Sequence, residues 1–512
     1  MGIDLGTSGV KVLLMDRDGV VVSSETVEYA LHHPNNGWAE QHPEEWWEKT
    51  ALCIRKAMEK AGIKAGDVLG IGLTGQMHGL VMLDSQNEVI RPAIIWCDQR
   101  TEKECEEITE RIGKDRLIEI TANPALTGFT ASKILWTKNN EPDQYERCRH
   151  ILLPKDYIRH KLTGEYATDV SDASGMQILD VKNRCWSREV LDKLEINEEM
   201  LGKVYESPEV TGAITRWASE ETGLQEGTPV VAGAGDNAAA AVGTGTVSDG
   251  KAFTTIGTSG VVFAHSSLYR VDPAGRVHTF CCAVPGAWHL MGVTQAAGLS
   301  LKWFRDHFCD VIVQKAEKEN RDPYDLMTEM AQKVPLGSRG LIYLPYLMGE
   351  RTPHLDPNSR GVFFGLSTIH EKPEMIRSII EGVTFSLKDC FEVLKERDVM
   401  IDSMIASGGG AASTFWRQMM SDMFACSVVK VNNDQGPAYG AAILAGVGTQ
   451  CYEGVESACR ELIHSTSVSE TNQDHHQRYN SYHQLYRNLY PALKEHFAHL
   501  SKLQSCMIGR KA

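Results

Sequence analysis

Ile3-Asp4-Leu5-Gly6-Thr7-Ser8-Gly9-Val10-Lys11-Val12-Leu13-Leu14 has a counterpart half a chain later in Thr254-Thr255-Ile256-Gly257-Thr258-Ser259-Gly260-Val261-Val262-Phe263. In both stretches an apolar run leads into Gly-Thr-Ser-Gly and another leads out, the pattern of strand, tight turn and strand. Thr7 and Thr258 stand 251 residues apart in a chain of 512, so the pattern predicts one domain type used twice. Each turn offers several backbone N–H groups and two hydroxyls at a bend, which suits phosphate oxygens. A single Gly-rich turn would mean little, since such turns commonly serve only to supply positive φ. Two related turns in opposite halves predict a nucleotide gripped by two phosphate loops.

Working outward, Gly19 and Val20-Val21-Val22 continue the first stretch as turn and strand, the start of a β-meander. From Pro43 to Ala61 the apolar positions Trp47, Ala51, Ile54, Ala57 and Met58 follow the spacing of an amphipathic helix, with Gly62 placed to cap it. Val68-Leu69-Gly70-Ile71-Gly72-Leu73 then reads as a buried strand, so strand and helix alternate and an α/β sheet is expected. The length exceeds what one hydrophobic core fills. Two domains are expected, residues 1–247 and 248–512, with the boundary in the Gly- and Asp-containing stretch 246–251. A last long helix is expected over 475–503, with Tyr479, Tyr482, Leu485, Tyr486, Leu489 and Tyr490 as its packing face.

Composition narrows the function. With 42% hydrophobic and 23% charged residues the chain has the make-up of a soluble globular protein. Its formal charge of −15 argues against nucleic acid or an anionic membrane as partner, because both require a basic footprint. No apolar run reaches the ~20 residues that span a bilayer, and the chain opens on strand-like residues instead of a basic leader, which predicts a cytoplasmic protein. The 13 cysteines lack CxxC spacing and read as reduced, mostly buried thiols, the adjacent Cys281 and Cys282 included.

Three features carry chemistry. Asp4 heads the first loop, where a carboxylate can hold Mg²⁺ against nucleotide phosphates; the second loop has Thr255 at that place, which predicts a single metal site. Lys11 adds a positive charge close by. The run Pro229-Val230-Val231-Ala232-Gly233-Ala234-Gly235 reads as a buried strand that delivers Asp236 to the start of a helix Asn237-Ala238-Ala239-Ala240. Phosphoryl transfer to an alcohol needs a carboxylate to take the hydroxyl proton, and Asp236 is the expected base, with a helix cap as its purely structural alternative. Ser407-Gly408-Gly409-Gly410-Ala411-Ala412 precedes a helix-like segment ending at Phe424, and its small residues would let a flat adenine approach the backbone.

In this order, Asp4-Leu-Gly-Thr-Ser-Gly, Gly235-Asp236-Asn237, Gly257-Thr-Ser-Gly and Gly408-Gly-Gly-Ala make the chain resemble the FGGY carbohydrate kinases over nearly its whole length. Gly128-Phe-Thr-Ala-Ser-Lys133-Ile-Leu-Trp136 and Gly361-Val-Phe-Phe-Gly365-Leu, continuing to Glu381-Gly382, look like further signatures of that family. The resemblance implies an α/β fold of two actin-like ATPase (ribonuclease H-like) domains with a nucleotide and sugar cleft between them. It implies Met77, His78, Asp236 and Asn237 for the sugar, and Thr7, Ser8, Lys11, Thr258, Gly298, Gly409 and Gly410 for the nucleotide. ATP and Mg²⁺ are the implied cofactors, the metal at Asp4. Glycerol-specific members carry Arg-Glu where this chain has Met77-His78. Gly75-Gln76-Met77-His78-Gly79, Gly37-Trp38-Ala-Glu40-Gln41, Leu152-Leu-Pro154-Lys155-Asp156-Tyr157 and Gly349-Glu350-Arg351-Thr352-Pro353 are instead similar to members acting on D-xylulose. Gluconate or ribulose as acceptor, and a non-catalytic ATP-binding role on the same fold, stand as alternatives; Asp236 together with both loops argues against the last. Trp96-Cys97-Asp98-Gln99-Arg100 falls near the sugar in family order, without showing which side chains face it. Only three residues precede Asp4, which predicts a first strand shorter than the usual ~5 residues. Dimers being the commonest closed assembly, a homodimer is expected.

Overall fold

The computed structural model of the chain describes residues 1–508, with side chains as far as Gln504. These residues form two units, neither of which is one continuous stretch. The first takes residues 1–248, 265–289 and 435–464; the second takes 249–264, 290–434 and everything described from 465 on.

In the first unit, strands β1 (Gly2–Leu5), β2 (Gly9–Met15), β3 (Val21–Glu28), β4 (Gly72–Gly75) and β5 (Ala234–Gly235) make a sheet in the order β5-β4-β1-β2-β3. β1 has four residues, as short as expected, yet it lies in the middle: antiparallel to β2 on one side, parallel to β4 on the other, with Ile3 and Leu5 buried. Helix α1 (Pro43–Ala61) buries Trp46, Trp47, Cys53, Ile54 and Ala57, and Gly62 ends it at φ 66. Across the sheet from nowhere near in sequence comes the helix Pro437–Gly448. A methyl group on Gly2 or Gly72 would overlap the carbonyls of Ala438 and Ala441, so the helix lies directly on the backbone of β1 and β4. On its other flank Gly440 meets the carbonyl of Ala239 in helix α4 (Asp236–Thr244), again with no room for a side chain.

Two sequence expectations need correction here. The strand expected over 68–73 begins only at Gly72, which is paired with Gly2, the first residue of β1; Ile71 just before it makes an isolated parallel bridge to Val230, and Leu69 is 49% exposed. The single strand expected before Asp236 is two: Pro229–Val231 pairs antiparallel with Val210–Ala213, and β5 joins β4 in parallel. The break falls at Gly233, whose φ of 72 no strand accommodates. Helices α2 (Thr130–Asn140) and α3 (Pro154–Thr163) lie further along this unit and reappear at the site.

In the second unit the sheet runs β8-β7-β6-β9-β10-β11, with β6 (Gly250–Ile256), β7 (Gly260–Ser266), β8 (Trp288–Thr294), β9 (Ile401–Ser407), β10 (Ser427–Val431) and β11 (Ser465–Ser469). Helices α5 (Gly298–Phe308), α6 (Lys372–Glu396), α7 (Thr414–Phe424) and α8 (Gln473–Ile508) belong to it. Each loop sits in the same pairing: the strand entering it is antiparallel to the strand leaving it and parallel to a later strand. Asp4 thus lies between Lys11 and Thr74, and Thr255 between Val261 and Ser407. α8 spans the expected 475–503, with Tyr479, Tyr486, Leu489 and Tyr490 buried. Leu485 is exposed, because the buried stripe steps from 479 to 483, 486 and 490, and His483 takes the inner place with Nε2 2.9 Å from the Asp389 carboxylate.

Among the described residues no helix is long and apolar enough to cross a membrane. Every described cysteine is free. Burial pushes the Cys281 and Cys282 thiols up to about 11 and 12, which keeps them protonated and unreactive.

Candidate active site

The first loop is shaped from behind. The Gly6 carbonyl accepts from the Tyr29 hydroxyl and from Gln76 Nε2 at 3.4 Å, the Thr7 carbonyl from Gln41 Nε2 at 2.7 Å, and the Ser8 carbonyl from the Tyr29 amide at 3.3 Å. In a trans peptide the N–H points opposite to the C=O. Holding the Gly6 and Thr7 carbonyls therefore turns the amides of Thr7 and Ser8 the other way, and among the described residues neither has an acceptor. Gln76 Nε2 also donates to Gln41 Oε1 at 2.8 Å, which ties the loop to the segment carrying Met77 and His78. The Trp96 indole donates to Thr7 Oγ1 at 2.9 Å while the ring stays 45% exposed.

Asp4 and Asp236 stand close enough to feel each other's charge. Asp236 is the first residue of α4, and Gly235 takes the cap position without any side-chain bond, so a capping role does not account for it. Its Oδ1 accepts from the amide of Asn237 at 2.7 Å and from Asn237 Nδ2 at 2.9 Å. Asn237, expected to touch sugar, spends these donors on orienting its neighbour. Burial lifts the Asp236 carboxyl to about 6, against the pull of the Asn237 bonds. Burial and the Asp236 charge lift Asp4 to about 7, with Lys11 opposing. Lys11 faces Asp4 across the β1-β2 pair and reaches Gln435 Oε1 at 2.8 Å. Both acids are partly open to solvent. Two carboxylates that hinder each other's ionisation suit a divalent cation. Among the described residues no group of three or more His, Cys, Asp and Glu could enclose one. One or two carboxylates are the protein donors that Mg²⁺ would take beside substrate phosphates and water.

Met77 and His78 line the ground next to Asp236. A Cβ on Gly235 would be 2.9 Å from Met77 Cγ and Sδ, so the thioether lies directly under the residue before the acid. Met77 is only 6% exposed, a floor more than a wall. His78 has φ 70, unusual for a residue with a side chain. Its carbonyl accepts from Lys133 Nζ at 2.7 Å and Thr130 Oγ1 at 3.1 Å, both on α2, and Lys133 also bonds the Gly128 carbonyl at 2.6 Å. The signature Gly128–Trp136 thereby acquires a physical role: it holds His78 in its left-handed turn. Burial brings the Lys133 ammonium down to about 7. The imidazole packs on Phe129 with ring centres 4.7 Å apart, and Nδ1 lies 2.9 Å from the Gly175 carbonyl. Since a carbonyl only accepts, Nδ1 carries a proton.

Within 96–100, Asp98 and Arg100 are engaged elsewhere. They form an ion pair at 2.7 Å, and the guanidinium lies 3.7 Å from the Trp38 ring centre and 4.8 Å from that of Trp136, two rings that meet edge to face. Trp96 is the member that reaches the loop. Sequence reasoning left it unassigned along with Gln41 and Gln76; a tryptophan in a polar, strand-free stretch was its one visible sign.

The second unit holds a cavity of about 400 Å³ lined by Thr258, Gly298, Gly409 and Gly410, four of the expected nucleotide residues. Ile256, Leu299, Tyr324 and Trp416 supply apolar surface, while Lys302, Asp322 and Asp325 supply polar groups. Gly298 opens α5 and donates its amide to the Gly257 carbonyl at 2.8 Å, where a side chain would overlap that carbonyl. Gly409 has nothing within 4 Å of where a Cβ would be, so the backbone there is bare. Such a slot accepts a flat heterocycle with polar groups at its rim.

Comparison with known proteins gives a consistent result. Residues 1–243 match the N-terminal domain of the FGGY family of carbohydrate kinases, and residues 252–449 match its C-terminal domain. The xylulose kinase of Bacillus subtilis (strain 168) is 37% identical over 495 residues, covering 97% of both chains. That of Escherichia coli (strain K12) is 38% identical over 497 residues, covering 96% of this chain and 99% of its own. A gluconokinase of Bacillus subtilis (strain 168) is 31% identical over 517 residues, covering 100% of this chain and 99% of its own. Among solved structures, a xylulose kinase from Brucella ovis superposes with a TM-score of 0.87 at 36% identity, covering 96% of this chain and 99% of its own.

Proposed function

The chain belongs to the FGGY family of carbohydrate kinases, and from that premise we propose that it transfers the γ-phosphoryl group of ATP to the 5-hydroxyl of D-xylulose, giving D-xylulose 5-phosphate and ADP. The observation that carries the reading is the Asp236 carboxylate, partly open, lifted to about 6 and set directly beside the Met77–His78 ground. A base with that affinity is ionised at neutral pH and still basic enough to take the hydroxyl proton as the O–P bond forms. Asn237 holds the carboxylate through two donors, leaving Oδ2 for the sugar. His78 hydrogen-bonds a sugar hydroxyl, and Met77 lies beneath the carbon chain.

For the nucleotide, the second unit's cavity takes adenosine, with Gly409 and Gly410 against the base. The amides of Thr7 and Ser8 and the Thr258 loop are donors for phosphate oxygens. Mg²⁺, when bound, supplies positive charge to those oxygens, and Asp4 would hold it. In this reading the division of labour gives 1–247 the sugar and the first phosphate loop, and 248–512 the second loop and adenosine. The net charge of −15 and the unreactive thiols support a cytoplasmic enzyme acting on free sugar and ATP, and a homodimer is its proposed assembly.

The test is ADP release with xylulose, ribulose, gluconate and glycerol as acceptors, with Asp236→Ala beside the wild type. Xylulose should give the highest kcat/KM, and Asp236→Ala should lose about 10²–10⁴-fold in kcat. Gluconate as the clear favourite would move the chain to the activity of its gluconokinase relative. Near-normal phosphorylation by Asp236→Ala would remove Asp236 from the base role.

A further inference from the structure

Behind Asp236 lies a fully buried group of charges that the reaction does not use. Lys155 Nζ is 2.8 Å from Asp169 Oδ1, 2.6 Å from Asp156 Oδ1 and 3.5 Å from Asp172 Oδ2. Arg159 bonds Asp156 and the Ala167 carbonyl, and its Nη1 donates to the Ala232 carbonyl at 2.6 Å. Lys155, Asp156 and Arg159 are the polar face of α3, the chemistry inside the Leu152–Tyr157 signature. A buried ion cluster is poor evidence for stability, since apolar residues of the same volume usually do as well. Its retention calls for a different account.

That account is in its connections. Asp169 Oδ2 accepts from the Ser171 amide at 2.8 Å, from Ser171 Oγ at 2.5 Å and from Ser207 Oγ at 3.1 Å. With its proton committed to Asp169, Ser171 Oγ turns a lone pair to the amide of Gly235, 3.0 Å away. The residues leading to Asp236 are thus held one by one. Ala232 donates its amide to the Glu209 carbonyl at 2.8 Å and Gly233 to the Ser207 carbonyl at 2.9 Å. Ala234 and Gly235 pair with Thr74 and Gly75. A Cβ on Gly235 would press on the Met77 side chain, and glycine is the residue with the greatest backbone freedom. The Ser171 bond restrains the glycine that stands immediately before the base. Burial and the neighbouring carboxylates, Asp236 among them, push the Asp172 carboxyl well up against the pull of Lys155.

We propose that Ser171, anchored by Asp169 on the buried Lys155, is a positioning residue for Asp236, fixing the Gly235 peptide so that the carboxylate meets the acceptor hydroxyl in line with the transferring phosphoryl group. The inference rests on Asp236 being the base. It predicts a loss mainly in turnover, because the hydrogen bonds of Ser171 run to Asp169 and to the Gly235 amide, on the path to the base.

The experiment compares Ser171→Ala, Ser171→Thr, Ser207→Ala and Asp236→Ala, each assayed well below its own melting midpoint. Ser171→Ala should lower kcat about 10- to 100-fold, the cost of a small misplacement of a reacting group, with KM for xylulose and ATP within about twofold of wild type. Ser171→Thr keeps the hydroxyl and should recover most of kcat. Ser207→Ala removes a hydroxyl from the same Asp169 oxygen without touching the Gly235 amide, and should stay within about threefold of wild type. Equal losses in Ser171→Ala and Ser207→Ala, a threonine variant no better than alanine, or Ser171→Ala within about threefold of wild type would each overturn the inference. An inactive Asp236→Ala beside an unaffected Ser171→Ala rejects only the positioning role; an active Asp236→Ala rejects the base itself.

Discussion

At His78 the backbone takes a left-handed turn whose cost, of order 1 kcal/mol or more for a residue with a side chain, is met by Lys133 and Thr130 gripping its carbonyl. The ring in turn rests against Gly175, where an added methyl would overlap the imidazole. Gly175→Ala should therefore raise KM for xylulose at least about tenfold while leaving KM for ATP unchanged, in steady-state kinetics with each substrate varied. The two acids make a prediction in pH. A base lifted to about 6 loses its ionised form below that value, so kcat/KM should fall about tenfold per pH unit on the acid side of 6. Stability runs the other way. Folded carboxyls raised to about 6 and 7 from 3.8 hold protons that the unfolded chain has already released, so these groups lower stability progressively as pH rises from about 4 to about 7. Asp236→Asn should accordingly melt about 2 °C above wild type at pH 8 and level with it at pH 4, while losing activity at both.

The elements show what the sequence made legible and what it hid. The two loops, their flanking strands and the asymmetry of Asp4 and Thr255 could all be read, because turn chemistry and apolar runs are local. The place of Asp236 at the start of a helix was legible for the same reason. Gln41, Gln76 and Trp96 were hidden, since their value lies in the carbonyls and hydroxyl they reach from distant strands and loops. Lys133 stood in a recognised signature, but its task of holding a carbonyl 55 positions away depends on how α2 meets the His78 turn. The break at Gly233 was missed because a glycine inside an apolar run looks the same in a strand and between two. At the second loop, Gly298 starts α5 against the Gly257 carbonyl with no space for a side chain. Gly298→Ala should disturb the cavity alone: KM for ATP should rise about tenfold with KM for xylulose unchanged, and ATP quenching of the buried Trp416 at the cavity wall should weaken in parallel.

On the scale of the whole molecule the chain packs as two units that share it in alternation. Nothing local announces this. The helix Pro437–Gly448 has the composition of any buried helix, and its place on β1 and β4 follows from surfaces some 430 and 370 positions upstream, at Gly2 and Gly72. A fragment of residues 1–248 therefore lacks two segments of its own unit. Expressed alone, it should be largely insoluble or bind apolar dyes such as ANS, and adding the peptide 435–464 should recover soluble material. The same feature sets a timetable for synthesis. A ribosome adds roughly 5–20 residues per second, so the sheet that carries Asp4 waits roughly 10–40 s between the release of residue 248 and that of the helix which covers it. For that interval the newborn chain exposes an apolar sheet face, the kind of surface that chaperones engage during translation.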